Sequence, residues 1–463
     1  MHRLSGNLDH ALKHTLALVL AGGKGTRLKD LGATDAKPAL PFGGTYRLID
    51  FPLSNCLNSG IRKIGVATQY RAQGLHRHLQ EGWSFLSPHL GEFVAAWPAE
   101  QASSDGIGYK GTADAVYQNL DAIRAHGAKH VLILAGDHVY KQDYGLMLAE
   151  HLQKGADVTV SCVEVPTGEA SGFGIVATDA AGNITDFVEK PAHPPAMPDN
   201  PLHALASMGI YIFRADFLAE VLAEDAARES SGHDFGHDIL PALIGRAKII
   251  AHRFGDSCAG AVPGEAPYWR DVGTLDSYWQ ANLDLAGGHP ALDLFDPDWP
   301  VRSSYQARPP ARFDIGIGCR GSVAHTVAAP GVTVAGATVK DTLLSQDVTV
   351  GMNARLDGCV LLPGVQVGAN ACLKRVIVAA GCKIPDGFVA GEDITEDARW
   401  FTRTPDGIAL ITQDALDRRA ISRKLVRARP YHMPPVGQTE HYSARALPVP
   451  FSLRQADPLT TNN

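Results

Sequence analysis

With 463 residues, 45% of them hydrophobic and 20% charged, the chain has a globular composition and is long enough for two domains. Its formal charge of −7 excludes a broad nucleic-acid surface, which needs a dense field of Lys and Arg. A small anionic substrate, held by a few local cations, remains compatible with that charge.

The N-terminal MHRLSGNLDHALKH is polar and lacks the apolar centre of a secretion signal. Thr15 to Ala21 (TLALVLA) then reads as a buried strand, followed by strands at Ile61 to Thr68 and Val131 to Ala135, each ending in glycine or polar residues. Between the last two, Thr112 reads as the N-cap of a helix with Ala113, Val116, Leu120 and Ile123 on one face. This alternation predicts an α/β domain, a sheet covered by helices, with ligands at the C-terminal strand ends. From Val158 the pattern turns β-rich. Gly174–Thr178 and Ile184–Lys190 flank the turn residues Ala181-Gly182-Asn183 as a hairpin, and a strand at Ser207–Phe213 precedes a helix over Asp216–Arg228.

Gly287 to Phe313 holds five prolines and little periodicity, so the domain boundary is placed there. A repeat follows: PGVTV, QDVTV, PGVQV and AGCKI set Val332, Val348, Val365 and Cys382 at spacings of 16, 17 and 17 residues. Three flat faces of about six residues per coil give that period, which predicts a parallel β-helix over a regularly turned β-sandwich. The chain divides on this reading into a domain at 1–286, a linker at 287–312, the β-helix at 313–412 and a tail at 413–463. The tail begins with the basic residues Arg418, Arg419, Arg423, Lys424, Arg427 and Arg429 and turns proline-rich, as expected for a solvated helix and a mobile end. No segment reaches the roughly 18 apolar residues of a membrane span. Seven cysteines, Cys56, Cys162, Cys258, Cys319, Cys359, Cys372 and Cys382, never form a CxxC pair. A reducing, cytoplasmic location with buried thiols is expected.

The chemistry-bearing residues begin right after the first strand. In Gly22-Gly23-Lys24-Gly25-Thr26-Arg27 the glycines allow backbone N–H groups to approach a phosphate, and Lys and Arg add charge. This is neither a Walker loop nor a dinucleotide fingerprint. Lys37, in AKPALPFGG, precedes a proline that pins the local chain. Asp137 follows VLILAG at a strand end, where a carboxylate can hold Mg²⁺, and Asp271 in PYWRDVGT is a second ligand candidate. Either aspartate alone is more often a turn or cap residue.

GGKGTRL, AKPA, LSNCLNSGI, QNLDAI, LAGDHVYKQDY, FVEKPA, SMGIYIF, HDFG and PYWRDVGTLDSYW, in this order, resemble bacterial glucose-1-phosphate adenylyltransferases over roughly Leu16 to Thr412. The resemblance implies a Rossmann-like nucleotidyltransferase domain with a mixed sheet, a C-terminal left-handed parallel β-helix, and a homotetramer. It also implies a reaction of ATP with glucose 1-phosphate, with Mg²⁺, giving ADP-glucose and pyrophosphate for glycogen synthesis. By motif, Arg27, Lys37 and Asp137 would be catalytic, Asp137 and Asp271 would bind the metal, and Gly22, Gly23, Gly25, Thr26 and Arg27 would hold the nucleotide. Tyr109, Gly174, Glu189, Lys190 and Ser207 would hold glucose 1-phosphate. Without that context, Glu189–Lys190 reads as a surface ion pair.

Departures from the pattern concern regulation. Thr34 and Asp35 stand where relatives carry two basic residues, Ala102 and Gly108 where they carry arginine and tryptophan, and Trp400 where a second arginine is common. These changes favour pyruvate or fructose 6-phosphate as an anionic effector, or no activator at all, over fructose 1,6-bisphosphate. His237 replaces a lysine; with His233 it forms an i, i+4 pair, but there is no HExxH motif to argue for zinc. Rival readings are a nucleotidyltransferase using UTP, dTTP or GTP, and a non-catalytic regulatory subunit. An acyltransferase is disfavoured, since His325 is the only histidine between Phe313 and Gly391.

Overall fold

The computed structural model describes residues 2–23, 28, 31, 35–99, 108–262, 264–288, 290–314 and 321–427. The first strand, Thr15–Ala21, lies inside the main sheet, parallel to Lys63–Thr68 on one side and His130–Ala135 on the other. Its unbroken apolar run has a physical cause: both faces are covered. Ala17, Val19 and Ala21 join one core with Leu132 and Leu134, while Leu16 and Leu18 join another with Val131 and Ile133.

Phe93–Pro98 continues the parallel part, and the long strand His203–Arg214 turns the sheet mixed by pairing antiparallel to His130–Ala135. The hairpin forms as expected, from Gly174–Thr178 and Ile184–Glu189. The helix expected from Thr112 is interrupted. It forms as Thr112–Tyr117 and Leu120–Ala125, with Ala113, Val116, Leu120 and Ile123 all buried as the pattern required. Thr112 is not the N-cap; Gly111 is, and the Thr112 hydroxyl instead donates to Asp234 Oδ2 at 2.9 Å and accepts from the Phe235 amide at 3.0 Å.

The repeat builds a parallel coil. Thr333, Thr349, Gln366 and Lys383 stand in register, with Val332, Val348, Val365 and Cys382 buried beneath them. One residue earlier in each repeat, Gly331, Asp347, Gly364 and Gly381 all have positive φ, at 82°, 61°, 74° and 69°. Glycine, or an aspartate that tolerates the left-handed region, is what that turn needs. The coil shares a hydrophobic cluster with the sheet domain: Leu343, Val360, Leu362, Ile377 and Leu410 pack with Leu40, Phe42, Tyr278 and Trp279. The Trp279 indole also donates to Gly358 O at 2.8 Å. Met1 to Arg419 accordingly forms one compact unit.

Between Leu283 and Arg312 there is no helix or strand among the described residues, and residues 299–303 of the segment form a strap. It is sewn to the helix Asp50–Asn58. Asn58 Nδ2 donates to Pro300 O at 3.0 Å, Trp299 Nε1 to Asn55 Oδ1 at 2.9 Å, the Arg302 amide to Ser54 Oγ at 2.8 Å, and Ser303 Oγ to Asp50 Oδ2 at 2.6 Å. The fully buried Asp50 also accepts from Trp83 Nε1 at 3.0 Å and lies 2.6 Å from His78 Nε2. These contacts explain the polar residues of LSNCLNSG, which a surface helix would not have to bury.

The described cysteines are free thiols; Cys56, Cys162, Cys359 and Cys382 are buried, but Cys258 and Cys372 are only partly so, against the expectation of uniform burial, and Cys319 lies outside the described residues. Helix Gln413–Arg427 carries the start of the basic stretch, whose Arg423, Lys424, Arg427 and Arg429 side chains lie outside the described ones. Arg419 is 5% exposed, with its guanidinium 4.6 Å from the Phe388 ring centre, so it is not part of a solvated face.

One buried group predicts acid lability. His151 lies at the edge of the His130 ring, 5.3 Å between centres, and its Nδ1 is 2.8 Å from Thr159 Oγ1. Burial, then the neighbouring His130, lowers its imidazole from 6.5 to about 4. The unfolded chain therefore takes up a proton near its ordinary value that the folded chain refuses until about 4. Stability should fall as pH drops through that window, by up to about 3 kcal/mol from this group. Urea unfolding from pH 8 to 4 should show a flatter dependence for His151→Asn than for the unsubstituted chain.

Candidate active site

Three chain segments converge at the C-terminal end of the parallel strands. The turn Lys37–Ala39, started by Pro38, buries Lys37 and aims its ammonium at two carboxylates: 2.6 Å from Asp137 Oδ2 and 3.4 Å from Asp271 Oδ1. Asp137 follows the strand His130–Ala135. Asp271 ends the strand Trp269–Asp271, which pairs antiparallel with His138–Tyr140 so that Asp271 stands opposite His138. Burial works to raise the Asp137 carboxyl, but the Lys37 ammonium, His138 and the hydrogen bond from Lys37 outweigh it, and the net shift is downward. Asp137 is held as a carboxylate.

From these aspartates a cavity of about 740 Å³ runs across the sheet. Gly22, Gly23, Tyr109, Gly174, Glu189, Lys190 and Ser207 all line it, so every described residue named for the two substrates faces one space. Lys190, at φ 46°, pairs its ammonium with Glu189 Oε1, and its amide donates to Phe173 O at 3.0 Å. The Tyr109 hydroxyl donates to Trp97 O at 3.2 Å and accepts from Asn119 Nδ2 at 3.1 Å, which fixes the ring at the cavity wall. A Cβ on Gly22 would meet Gln69 Oε1 at 3.4 Å and Tyr109 Cδ2 at 3.6 Å, ordinary contact distances, so Gly22 lies against both of these lining residues. Gly25, Thr26 and Arg27 lie outside the described residues, as do Thr34 and Ala102.

Sequence reasoning missed several lining residues: Gln69, His138, Asp234, Gly236 and Trp269. Four of these lie inside quoted motifs, in LAGDHVY, HDFG and PYWRD, so the signal was present but unread. Asp234 accepts from the Gly236 and His237 amides at 2.9 and 3.1 Å and from Thr112, tying the helix at Thr112 to the HDFG turn. His233 and His237 diverge to separate partners, Asp225 Oδ2 at 2.8 Å and Asp238 Oδ1 at 3.0 Å. Of the regulatory departures, Gly108 packs against Gln69, and Trp400 donates from its indole to Glu396 Oε1 at 3.2 Å.

Gly236 carries a testable role. A Cβ there would stand 2.6 Å from Glu189 Oε2, and only the end of a flexible side chain needs to move to relieve it. Gly236→Ala should therefore fold normally but displace the Glu189 carboxylate; if Glu189 holds the sugar phosphate, as the motif resemblance implies, the sugar-phosphate KM should rise roughly tenfold with little change in kcat, since about one hydrogen bond to a charged group is lost. Steady-state kinetics check this.

Among the described residues no three or more His, Cys, Asp or Glu side chains come together as a self-contained metal site, so a hard divalent cation here would be shared with a phosphate-bearing ligand. Among the described lining residues, the carboxylates Asp137, Glu189, Asp234 and Asp271 outnumber the ammonium groups of Lys110 and Lys190. A phosphate-bearing ligand needs added positive charge there, and Asp137 and Asp271, brought to one point by Lys37, offer oxygen ligands for it.

Comparison with known proteins decides the lineage. The family described as Nucleotidyl transferase matches residues 16–287, and the one described as GlmU-like, C-terminal hexapeptide matches 309–411. A glucose-1-phosphate adenylyltransferase of Rhodospirillum rubrum is 53% identical over 411 residues, covering 89% of this chain and 97% of the relative. The chain belongs to the glucose-1-phosphate adenylyltransferase family. Enzymes of that description from Paraburkholderia phytofirmans and Mesorhizobium japonicum are 50% and 51% identical over 89% and 88% of this chain, and 98% and 97% of their own lengths. Family membership accounts for both the mixed sheet and the hexapeptide coil.

Proposed function

We propose that this chain joins ATP and α-D-glucose 1-phosphate to give ADP-glucose and pyrophosphate, supplying α-1,4-glucan synthesis. The observation that carries this reading is that Asp137, Asp271, Glu189 and Lys190 line one cavity, with Lys37 paired to both aspartates just outside its lining. The second pKa of a sugar phosphate is about 6, so at neutral pH it is a dianion and attacks without a strong general base. A phosphate oxygen of the sugar phosphate forms a bond to the α-phosphorus as the bond to the pyrophosphate oxygen breaks.

What the protein must supply is alignment and charge compensation. Mg²⁺ held by Asp137 and Asp271 would neutralise charge on the triphosphate. Lys37 and Arg27 stabilise the departing pyrophosphate, and Gly22, Gly23, Gly25 and Thr26 shape the nucleotide loop. Lys190 grips the sugar phosphate; Glu189, an acceptor-only group, takes a sugar hydroxyl, with Tyr109, Gly174 and Ser207 closing the wall.

The catalytic half is assigned to 1–286 and assembly to the coil at 313–412, as a cytoplasmic homotetramer whose mass light scattering would give. Among the described residues no helix is long and apolar enough to cross a membrane. The departures at Thr34, Asp35, Ala102, Gly108 and Trp400 favour pyruvate or fructose 6-phosphate as activator over fructose 1,6-bisphosphate. The test is pyrophosphate release with Mg²⁺ and glucose 1-phosphate, comparing ATP, UTP, dTTP and GTP with and without each effector. ATP should be preferred; preference for another nucleotide would overturn the pathway, and no turnover with any would favour a regulatory subunit.

A further inference from the structure

His138 has no part in the mechanism above, yet its ring faces both aspartates. Nε2 stands 3.7 Å from Asp137 Oδ1 and 3.8 Å from Asp271 Oδ1. Three features hold the ring there. The residue is adjacent to Asp137 in the chain and opposite Asp271 in the two-stranded ribbon. Its ring meets the Trp269 indole edge to face, at 5.3 Å and 88°. Gly209, at φ 68°, presents no side chain toward it; a Cβ there would already lie 4.0 Å from the ring Cε1.

The ring's hydrogen placement follows from its surroundings. Nδ1 is buried with no hydrogen-bond partner among the described residues, while Nε2 looks at two acceptors. The nitrogen that faces acceptors carries a proton, so it is an N–H at Nε2 that looks at the two carboxylates. At 3.7 and 3.8 Å the contacts are too long for hydrogen bonds, and the ring acts as an oriented dipole shared between two like charges.

We infer that His138 is a positioning residue of the cation site: it holds the Asp137 and Asp271 carboxylates facing one point before a divalent cation arrives. This rests on the reading of those two aspartates as metal ligands. Groups that orient ligand side chains typically change metal affinity by about 10–100-fold when removed, and His138 approaches both ligands at once.

The test is Mn²⁺ binding to the full chain without substrates, followed by the electron paramagnetic resonance signal of the free ion. His138→Leu should weaken binding roughly tenfold. His138→Gln, whose amide nitrogen reaches the position of Nε2, should recover most of it, whereas His138→Asn, which reaches only as far as Nδ1, should not. A role in packing alone would not separate Gln from Asn, and that comparison remains decisive if the Leu variant folds poorly. If His138→Leu binds Mn²⁺ as well as or better than the unsubstituted chain while Asp137→Asn and Asp271→Asn do not bind, the inference fails and the metal reading stands. If both Asn variants of the aspartates bind normally, the metal reading falls and takes this inference with it.

Discussion

Asp137→Asn is expected to lower kcat by about 10²–10³-fold while leaving the KM for glucose 1-phosphate within roughly threefold, the range seen when one preorganised charge partner is removed from a reacting centre. The substitution is isosteric, and the side chain is only partly buried, so the fold has little reason to change. What changes is charge. Lys37 loses its nearer counter-ion, at 2.6 Å, and keeps only Asp271, at 3.4 Å. The pair of carboxylates becomes one, and a divalent cation held by both would lose half of its charged protein ligands. Steady-state rates across a Mg²⁺ titration are the check: a large rise in the sugar-phosphate KM with an unchanged kcat would place Asp137 in the wrong half of the site.

The complementary result is expected at the other end of the cavity. Lys190→Ala should raise the KM for glucose 1-phosphate by about 10–100-fold with kcat within a fewfold, because a charge-assisted hydrogen bond to phosphate is worth roughly 1.5–3 kcal/mol. Lys190 contacts no part of the Lys37–Asp137–Asp271 cluster, and its visible partner is Glu189. Its backbone, at φ 46°, is tied to Phe173 O, and its side chain, 63% exposed, pairs with Glu189 at the cavity lining. Initial rates at saturating ATP and varied glucose 1-phosphate separate the two effects. If kcat collapses instead, Lys190 acts on the reacting phosphorus and the roles assigned to the two ends must be exchanged.

Much of this arrangement was legible because it is local. The strand Thr15–Ala21, the hairpin and the coil each leave a periodic trace, and Asp137 follows a strand whose end could be read from glycine and polarity. What the sequence hid depends on partners far away in the chain. Ser303 and Asp50 are separated by 253 positions, and nothing within either motif announces the other. Thr112 looked like a cap because it precedes a helix, but its hydroxyl serves Asp234 and Phe235, more than a hundred positions on. His138 was passed over because a histidine beside an aspartate has no pattern of its own; only the ribbon that sets Asp271 across from it gives it meaning.

The shared packing between sheet and coil also bears on the order in which the molecule can be made. Trp279, Tyr278 and Phe42 are covered by side chains as late as Leu410. A ribosome adding about 5–20 residues per second finishes the catalytic half on the order of ten seconds before its last covering residues emerge. During that interval the nascent chain presents an aromatic surface with nothing yet to close it, and the strap residues that pair with Asp50, Ser54 and Asn55 arrive near its start. A chain stopped at 286 would remain in that condition permanently. Its expected fate is association through the uncovered tryptophan face rather than existence as a free-standing enzyme.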